Sequence, residues 1–470
     1  MFGLRRPGAR RRALKDPARL GPRVALWGTF DLPDYGNLLL PRIFERELRK
    51  RLPLAQVVAY SPLGYDHPLA MDGGRPALPF GSADPRRKRQ LAEQHDLVVV
   101  VGDVIHTHDE LHAERYGIRH EDTEHVRPSR FFVDGLGAEL AQRCPVVWHA
   151  VEVPFDLDPA EAERIKNALE SIQHVSARDP TSRERLEQTG TTREIGLVPD
   201  PTILVSRLFD SEVLRKRRDY LRVIDSYPAH RPPIVVQGDA SLVEQAADIA
   251  RALTEAREPS DEIVLAELSQ TNGDAVFADA IAAHLPGASR LPAIASLEDI
   301  TAAIAHARLF VGTSARGRSA ALAFGVPTAS LASDSALDLV ASAEELSPAA
   351  LHNEVDAAFD ELAAIAEDSW SARAAADGRT LAELAQALSH ANERYELLLR
   401  AHDARGKRLV TERLKFAEIV DRLEAACGEL SEEAAHRIAE LENAIFVAQA
   451  AEAEARYELE QIRNEREPGG

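Results

Sequence analysis

Two arginines, Arg316 and Arg318, stand in a small-residue turn, Gly312 to Gly317, that is built to meet an anion. The turn follows an apolar run, Ala307-Arg-Leu-Phe-Val311, that reads as a buried strand. A short Ala/Leu-rich helix comes after it, closed by Gly325-Val-Pro327, and Thr328-Ala-Ser-Leu331 reads as the next strand. Gly suits the position just past a helix end, and Pro cannot extend the helix. Such a strand, turn and helix N-terminus offer backbone N–H groups and a positive dipole end to an anion. The guanidiniums add fork-shaped donors for phosphate or carboxylate. An ordinary strand–turn–helix with two solvated arginines fits the same local pattern.

A second set of reactive side chains follows two other apolar runs. Asp103, His106 and His108 come directly after Asp96-Leu-Val-Val-Val-Val101, which is nearly continuous in β-branched residues, as strands buried on both faces are. His149 and Glu152 come after Pro145-Val-Val-Trp148. In open α/β sheets ligands bind at the carboxyl ends of strands, and a histidine near pKa 6.5 is the usual proton shuttle. Local hydrogen bonding within loops is the alternative role for each histidine. His106 and His108 are read as loop histidines, and no metal site is expected from them.

The elements that must position these groups alternate in type. Arg23–Trp27 and Val57–Tyr60 read as strands, with a loop rich in turn residues (Gly28–Asn37) and a helix from Leu38 to Leu52 between them. A helix from about Pro159 leads to a strand at His174–Ala177, and Ser182–Gln188 is a further helix. The pattern restarts after Val198-Pro-Asp-Pro-Thr202, with strands at Pro232–Gln237, Glu262–Glu267 and Leu309–Val311. Strands and helices at this spacing predict parallel sheets in two successive α/β units facing a cleft. The expected domains are residues 23–200 and 201–348, joined somewhere between Asp200 and Arg231. Residues 1–22 are expected to form a disordered basic tail, and 349–390 a helical linker. From Phe416 apolar residues recur in steps of four and three through Ala448, as in a heptad seam. Residues 391–465 are therefore expected as a coiled coil or a helical hairpin, and self-association through residues 380–465 is its expected use.

Composition narrows the function classes. The net charge of −20 argues against nucleic-acid binding as the main role. The charge is uneven: residues 1–23 carry eight Arg and Lys against one Asp, which allows at most a weak contact with an anionic membrane surface. Only two cysteines occur, Cys144 and Cys427, so neither a disulfide framework nor a cysteine metal cage is expected. No apolar run reaches the roughly 18 residues of a spanning helix, and a reducing, cytoplasmic setting is expected.

Four segments, in order, resemble the polysaccharide pyruvyl transferase family over roughly residues 23–331. Trp27-Gly-Thr-Phe-Asp31 with Asp34-Tyr-Gly-Asn-Leu-Leu-Leu-Pro41 is similar to the family's N-terminal loop. Val175-Ser-Ala-Arg-Asp-Pro-Thr-Ser182 followed by Val198-Pro-Asp-Pro201 resembles its Arg-Asp-x-x-Ser…Asp-Pro signature. Gln270-Thr-Asn-Gly-Asp274 resembles a His-Gly-Asp segment, and Val311–Pro327 the family's Arg-Leu-His-Gly…Gly-Val-Pro. The resemblance implies a glycosyltransferase-B-like fold of two Rossmann-like domains. It also implies transfer of the pyruvyl unit of phosphoenolpyruvate to a sugar hydroxyl of a surface polysaccharide or its precursor, with release of phosphate and no further cofactor.

That chemistry needs receptors for a phosphate and a carboxylate, an acid for the methylene carbon and an acceptor for the hydroxyl proton. The implied substrate-binding positions are Arg178, Ser314, Ala315, Gly317, Arg318, Asn37 and Asn272. Arg316, His149 and Asp103 are the candidate catalytic positions, and an ion pair with Asp179 is the alternative role for Arg178. The sequence departs from the family where protons would move. The family's histidine falls on Arg316, which holds its proton near neutral pH. The arginine often found before it falls on Ser314. The loop aspartate falls on Asn37, and the histidine of the His-Gly-Asp segment on Asn272. A catalytically degenerate fold acting as an oligomeric scaffold or ligand sensor is therefore the alternative, with a sugar-nucleotide glycosyltransferase as a third.

Overall fold

The structure is a computed structural model that describes residues 21–62, 64, 77–80, 85–102, 138–141, 143–154, 156–224, 226–227, 231–258, 261–292, 295–331 and 348–376. All of these belong to one compact unit, Leu20–Tyr395. The basic tail, Asp103, His106, His108 and the heptad segment lie outside the described residues.

Twelve strands among the described residues form two sheets, and every strand pairing within them is parallel. The first holds β1 (Arg23–Trp27), β2 (Gln56–Ser61), β3 (Leu78–Pro79), β4 (Leu97–Gly102), β5 (Val146–Val151), β6 (His174–Ala177) and β7 (Gly196–Leu197), in the order β3-β2-β1-β4-β5-β6-β7. The second holds β8 (Ile234–Gln237), β9 (Ile263–Leu265), β10 (Ser289–Arg290), β11 (Leu309–Gly312) and β12 (Thr328–Ser330), in the order β10-β9-β8-β11-β12. Both orders run outward from the first strand and then reverse, which is the doubly wound Rossmann pattern. The chain is thus α/β with two Rossmann-like sheets, the class expected from its sequence. The switch points fall between β1 and β4 in one sheet and between β8 and β11 in the other, and the ligand crevice of such sheets lies at the carboxyl ends there.

The burial of β4 explains its sequence: all six residues of Leu-Val-Val-Val-Val-Gly are buried, so both faces demand apolar side chains. Three two-residue strands, β3, β7 and β10, carry no periodicity and were not foreseen. The helix Tyr35–Arg51 begins three residues before its expected start, because the Asp34 side chain accepts from the Asn37 N–H and caps it there.

The two halves share an apolar layer. Tyr35, Leu39, Ile203, Leu268, Ile300 and Phe310 belong to one buried cluster that draws on both sheets and on the segment between them. Backbone bonds add to it: Tyr35 N donates to Leu268 O (2.7 Å) and Gln270 N to Pro33 O (3.0 Å). The Tyr35 hydroxyl also meets Thr301 Oγ1 at 2.8 Å, fully buried. An interface this apolar favours a fixed relation between the halves over free hinging.

The expected linker from residue 349 does more than connect. Its first part is the helix Pro348–Ala376, which buries Val355, Phe359 and Leu362. Phe359 packs against Phe44 of the Tyr35–Arg51 helix with ring centroids 4.8 Å apart and ring planes tilted by 58°. Asp356 accepts from both Arg51 and Arg207, so the helix returns to the first half and closes one face of its core. No helix among the described residues is long and apolar enough to cross a membrane.

Candidate anion site between the two halves

Arg316 stands in the first turn of the helix Ala315–Ala323, whose N-cap is Ser314. The Ser314 hydroxyl accepts from Gly317 N at 3.0 Å, and Ser314 N donates to Gln237 Oε1 at 2.9 Å. Gln237 closes β8, so the turn is pinned to the carboxyl end of the neighbouring strand. Ala315 opens the helix beside that cap. Arg318 braces the turn: its Nη1 donates to the carbonyls of Gly312 and Thr313 at 2.9 and 3.0 Å.

The Arg316 side chain crosses into the first half through a slot walled by two glycines. A Cβ at Gly36 would stand 1.9 Å from Arg316 Cδ, and one at Gly102 would stand 2.9 Å from its Nη2. Gly102 also has φ +84°, a left-handed conformation that side-chain-bearing residues rarely adopt. Inside the slot Arg316 Nη1 donates to Asn37 Oδ1 and lies 3.6 Å from Asp34 Oδ1, while its Nε donates to Asp200 Oδ2 at 3.3 Å.

Arg178 reaches the same carboxylate from β6, whose last residue is Ala177. Its Nη1 donates to Asp200 Oδ2 at 3.3 Å, its Nη2 pairs with Glu152, and its Nε lies 3.6 Å from Asp179. Both roles foreseen for Arg178 are therefore open, since it pairs with Asp179 and also faces the crevice. Asp200 caps the short 3-10 turn Pro201–Leu204 with Oδ1, which accepts from Thr202 N at 2.8 Å. Burial opposes its charge, but Arg316, Arg178 and the Thr202 bonds outweigh burial and hold its carboxyl below the usual carboxylate range. Asp34, Asp179 and Asp200 each spend an oxygen on a helix cap while facing an arginine, which is why all three sit at element starts.

Glu152 is aimed at Arg178 by a local irregularity in β5. The register slips between Trp148 and Val151, and Ala150 takes a positive φ of 49°. A non-glycine residue held there is strained, and bulges beside ligand sites commonly redirect a side chain in this way.

His149 does not join the arginines. It is fully buried, with its ring 5.5 Å from that of Phe44 and 5.6 Å from that of Phe359. Its Nε2 has no hydrogen-bond partner among the described residues. Burial, with the nearby His174, pushes its pKa down to about 3, so it is neutral at physiological pH and too weak a base for the proton-transfer role expected of it. Asn272 likewise makes no side-chain bond to either arginine among the described residues. Its backbone carbonyl accepts from Ala240 N, and its Oδ1 is buried without a partner.

Asp274, the acid of Gln270-Thr-Asn-Gly-Asp274, is a further buried carboxylate beside the site that was not among the expected site residues. Asp274 Oδ2 accepts from Leu268 N (2.9 Å), Ser269 N (3.1 Å) and Gln237 Nε2 (3.0 Å). It thereby braces both the Leu268–Gln270 segment and, through Gln237, the Ser314 turn. Burial raises its pKa to about 7 against the pull of those three donors, and Asp34 adds to the rise. Among the described residues no group of His, Cys, Asp and Glu could hold a metal ion.

No curated protein sequence matches the chain. Among solved structures, UDP-GlcNAc 2-epimerase from Methanocaldococcus jannaschii is similar over 71% of this chain and 91% of its own, at 14% identity and a TM-score of 0.44. UDP-GlcNAc 2-epimerase from Neisseria meningitidis is similar over 74% and 95%, at 13% identity and 0.40. The ADP-heptose LPS heptosyltransferase II of E. coli is similar over 72% and 99%, at 13% identity and 0.33. The family model for polysaccharide pyruvyl transferase matches residues 34–335, from the Asp34 cap through both sheets and past the Arg316 turn. On that match, which takes in every arginine and carboxylate of the candidate site, the chain belongs to the polysaccharide pyruvyl transferase family.

Proposed function

We propose that this chain binds phosphoenolpyruvate at the Arg178–Arg316 pair and transfers its pyruvyl unit to a sugar hydroxyl of a surface polysaccharide or its precursor. The observation that carries the reading is the convergence of two guanidiniums, one from each half, on a single carboxylate oxygen at the carboxyl ends of β6 and β11. An oxyanion receptor needs that arrangement. In this reading Arg178 holds the donor's carboxylate or phosphate, and the positive end of the Ala315–Ala323 helix, beside the Ser314 cap, favours the anion there. Arg316 stabilises charge and transfers no proton. Asn37 orients Arg316, Asn272 borders the second half of the site, and Asp103 remains the candidate acid or base. No metal or other cofactor enters the scheme. Self-association through residues 380–465 in the cytoplasm completes the proposal.

Calorimetry with phosphoenolpyruvate, using pyruvate and UDP-sugars as controls, tests the donor. Specific binding that disappears in Arg178→Ala supports it, and no heat with phosphoenolpyruvate rejects it. Phosphate release with lipid-linked or free glycans then tests transfer.

One observation favours the second reading, a degenerate transferase fold that serves as a scaffold or sensor. Among the described residues, four carboxylates (Asp34, Glu152, Asp179 and Asp200) already surround the two arginines. A folded, oligomeric chain that neither binds phosphoenolpyruvate nor releases phosphate would establish it.

A further inference from the structure

Resting on the anion-site reading above, we propose that Asp200 occupies the anion seat between Arg178 and Arg316 in the unliganded chain. A substrate oxyanion then binds by taking both guanidiniums from it. Asp200 is thus a specificity-determining residue that sets which ligand charge the site admits.

Three observations carry the inference. First, a single oxygen, Oδ2, meets both arginines at 3.3 Å, from Arg178 Nη1 and Arg316 Nε. A carboxylate or phosphate oxygen from a ligand would seek the same two donors. Second, the two arginines have holders other than Asp200. Arg316 runs between the Gly36 and Gly102 backbones, and Arg178 is held by Glu152 and Asp179. Asp200 divides its work between its oxygens: Oδ1 accepts from Thr202 N and caps the turn, and Oδ2 faces the two arginines. Third, the side chains of Arg178, Arg316 and Asp200 are only 9%, 6% and 11% exposed. Charges at that depth are poorly screened, and a ligand anion added beside an undisplaced Asp200 meets its full repulsion.

The test is calorimetric titration of the full chain and of Asp200→Asn with phosphoenolpyruvate, inorganic phosphate and pyruvate. Phosphate and pyruvate separate the phosphate and carboxylate ends of the donor. Asp200→Asn is expected to tighten binding of inorganic phosphate and phosphoenolpyruvate by about tenfold or more, because one repelling charge leaves a shielded site. Equal or weaker binding by the folded variant overturns the inference.

Loss of the one carboxylate that both buried arginines share could prevent Asp200→Asn from folding. A second pair of variants covers that case: Arg316→Gln alone, and Arg316→Gln with Asp200→Asn, which removes one charge of each sign. Tighter phosphate binding in the double variant than in Arg316→Gln supports the displacement, and equal binding overturns it. The two readings fail separately. If the wild-type chain binds phosphoenolpyruvate and Asp200→Asn binds it no better, the inference falls and the donor reading stands. If Asp200→Asn gains phosphate binding while neither protein binds phosphoenolpyruvate, the donor reading falls and the inference stands. If no protein binds any oxyanion, both fall.

Discussion

Arg316 Nη1 donates to Asn37 Oδ1, a bond between the opening turns of two helices that belong to opposite halves and lie 279 positions apart. The contact is buried, and it exists because Gly36 leaves room for the arginine stem to pass. Where the family's pattern has a histidine on the helix and an aspartate in the loop, this chain has a permanently charged donor and a neutral acceptor. The residues at 37 and 316 are complementary: the guanidinium donates and the amide oxygen accepts.

Gly36→Ala tests that slot. The new methyl would stand 1.9 Å from Arg316 Cδ and 2.8 Å from its Cβ, and neither helix turn has room to retreat. Denaturant unfolding is expected to show a loss of about 1–3 kcal/mol. Displacement of Arg316 from the anion seat should also weaken phosphoenolpyruvate binding. An unchanged midpoint would mean that Arg316 leaves the slot at little cost.

Asp274 gives the stability a pH dependence with an unusual sign for a carboxylate. Its folded pKa of about 7 lies above the ordinary value of 3.8, so the folded chain binds the proton more tightly than the unfolded one. Its contribution is full below pH 4 and is lost as pH rises through 7. Between pH 5 and 8 the wild-type chain should lose on the order of 2–3 kcal/mol from this group. Asp274→Asn should not show that loss, as unfolding midpoints at the two pH values will reveal.

His149 works in the opposite direction over a neighbouring range. Its folded pKa near 3 lies below the ordinary 6.5, so acid protonates the unfolded chain first and favours unfolding. Stability from this group is present above pH 6.5 and drains as pH falls toward 3, by about 2 kcal/mol at pH 5. His149→Leu removes that drain and the unpartnered Nε2. It should stay within about 1 kcal/mol of wild type at pH 7.5. Phosphoenolpyruvate affinity should not change; a large fall would return His149 to the site.

Phe359→Ala tests whether the Pro348–Ala376 helix is part of the first half's core. Phe359 is fully buried against Phe44 and His149, and its truncation should cost about 3–5 kcal/mol in denaturant unfolding. A peripheral linker would lose less than about 1 kcal/mol.

The sequence by itself determined the local elements and their class. A β-branched run such as Val98–Val101 has few options other than a strand covered on both faces. The Gly325-Val-Pro327 stop ends a helix by local geometry, whereas the Asp179 and Ser314 caps, which also span only three residues, emerged with the structure. Alternating strands and helices then led to two parallel sheets, and the four motifs to the family. Those are all short-range facts of backbone geometry and side-chain pattern. The edge strands β3, β7 and β10 escaped because two residues carry no period, and the docking of the Pro348–Ala376 helix because its ion-pair partners Arg207 and Arg51 lie 149 and 305 positions from Asp356.

Only the tertiary structure decided what each charged group does. Nothing local distinguishes Arg316 from Arg318, two residues apart on one turn, yet one crosses to Asn37 and Asp200 and the other folds back onto Gly312 and Thr313. Nothing local makes His149 neutral or lifts Asp274 to about 7. Those properties come from desolvation and from partners brought in by packing, and both depend on distance in space, not along the chain.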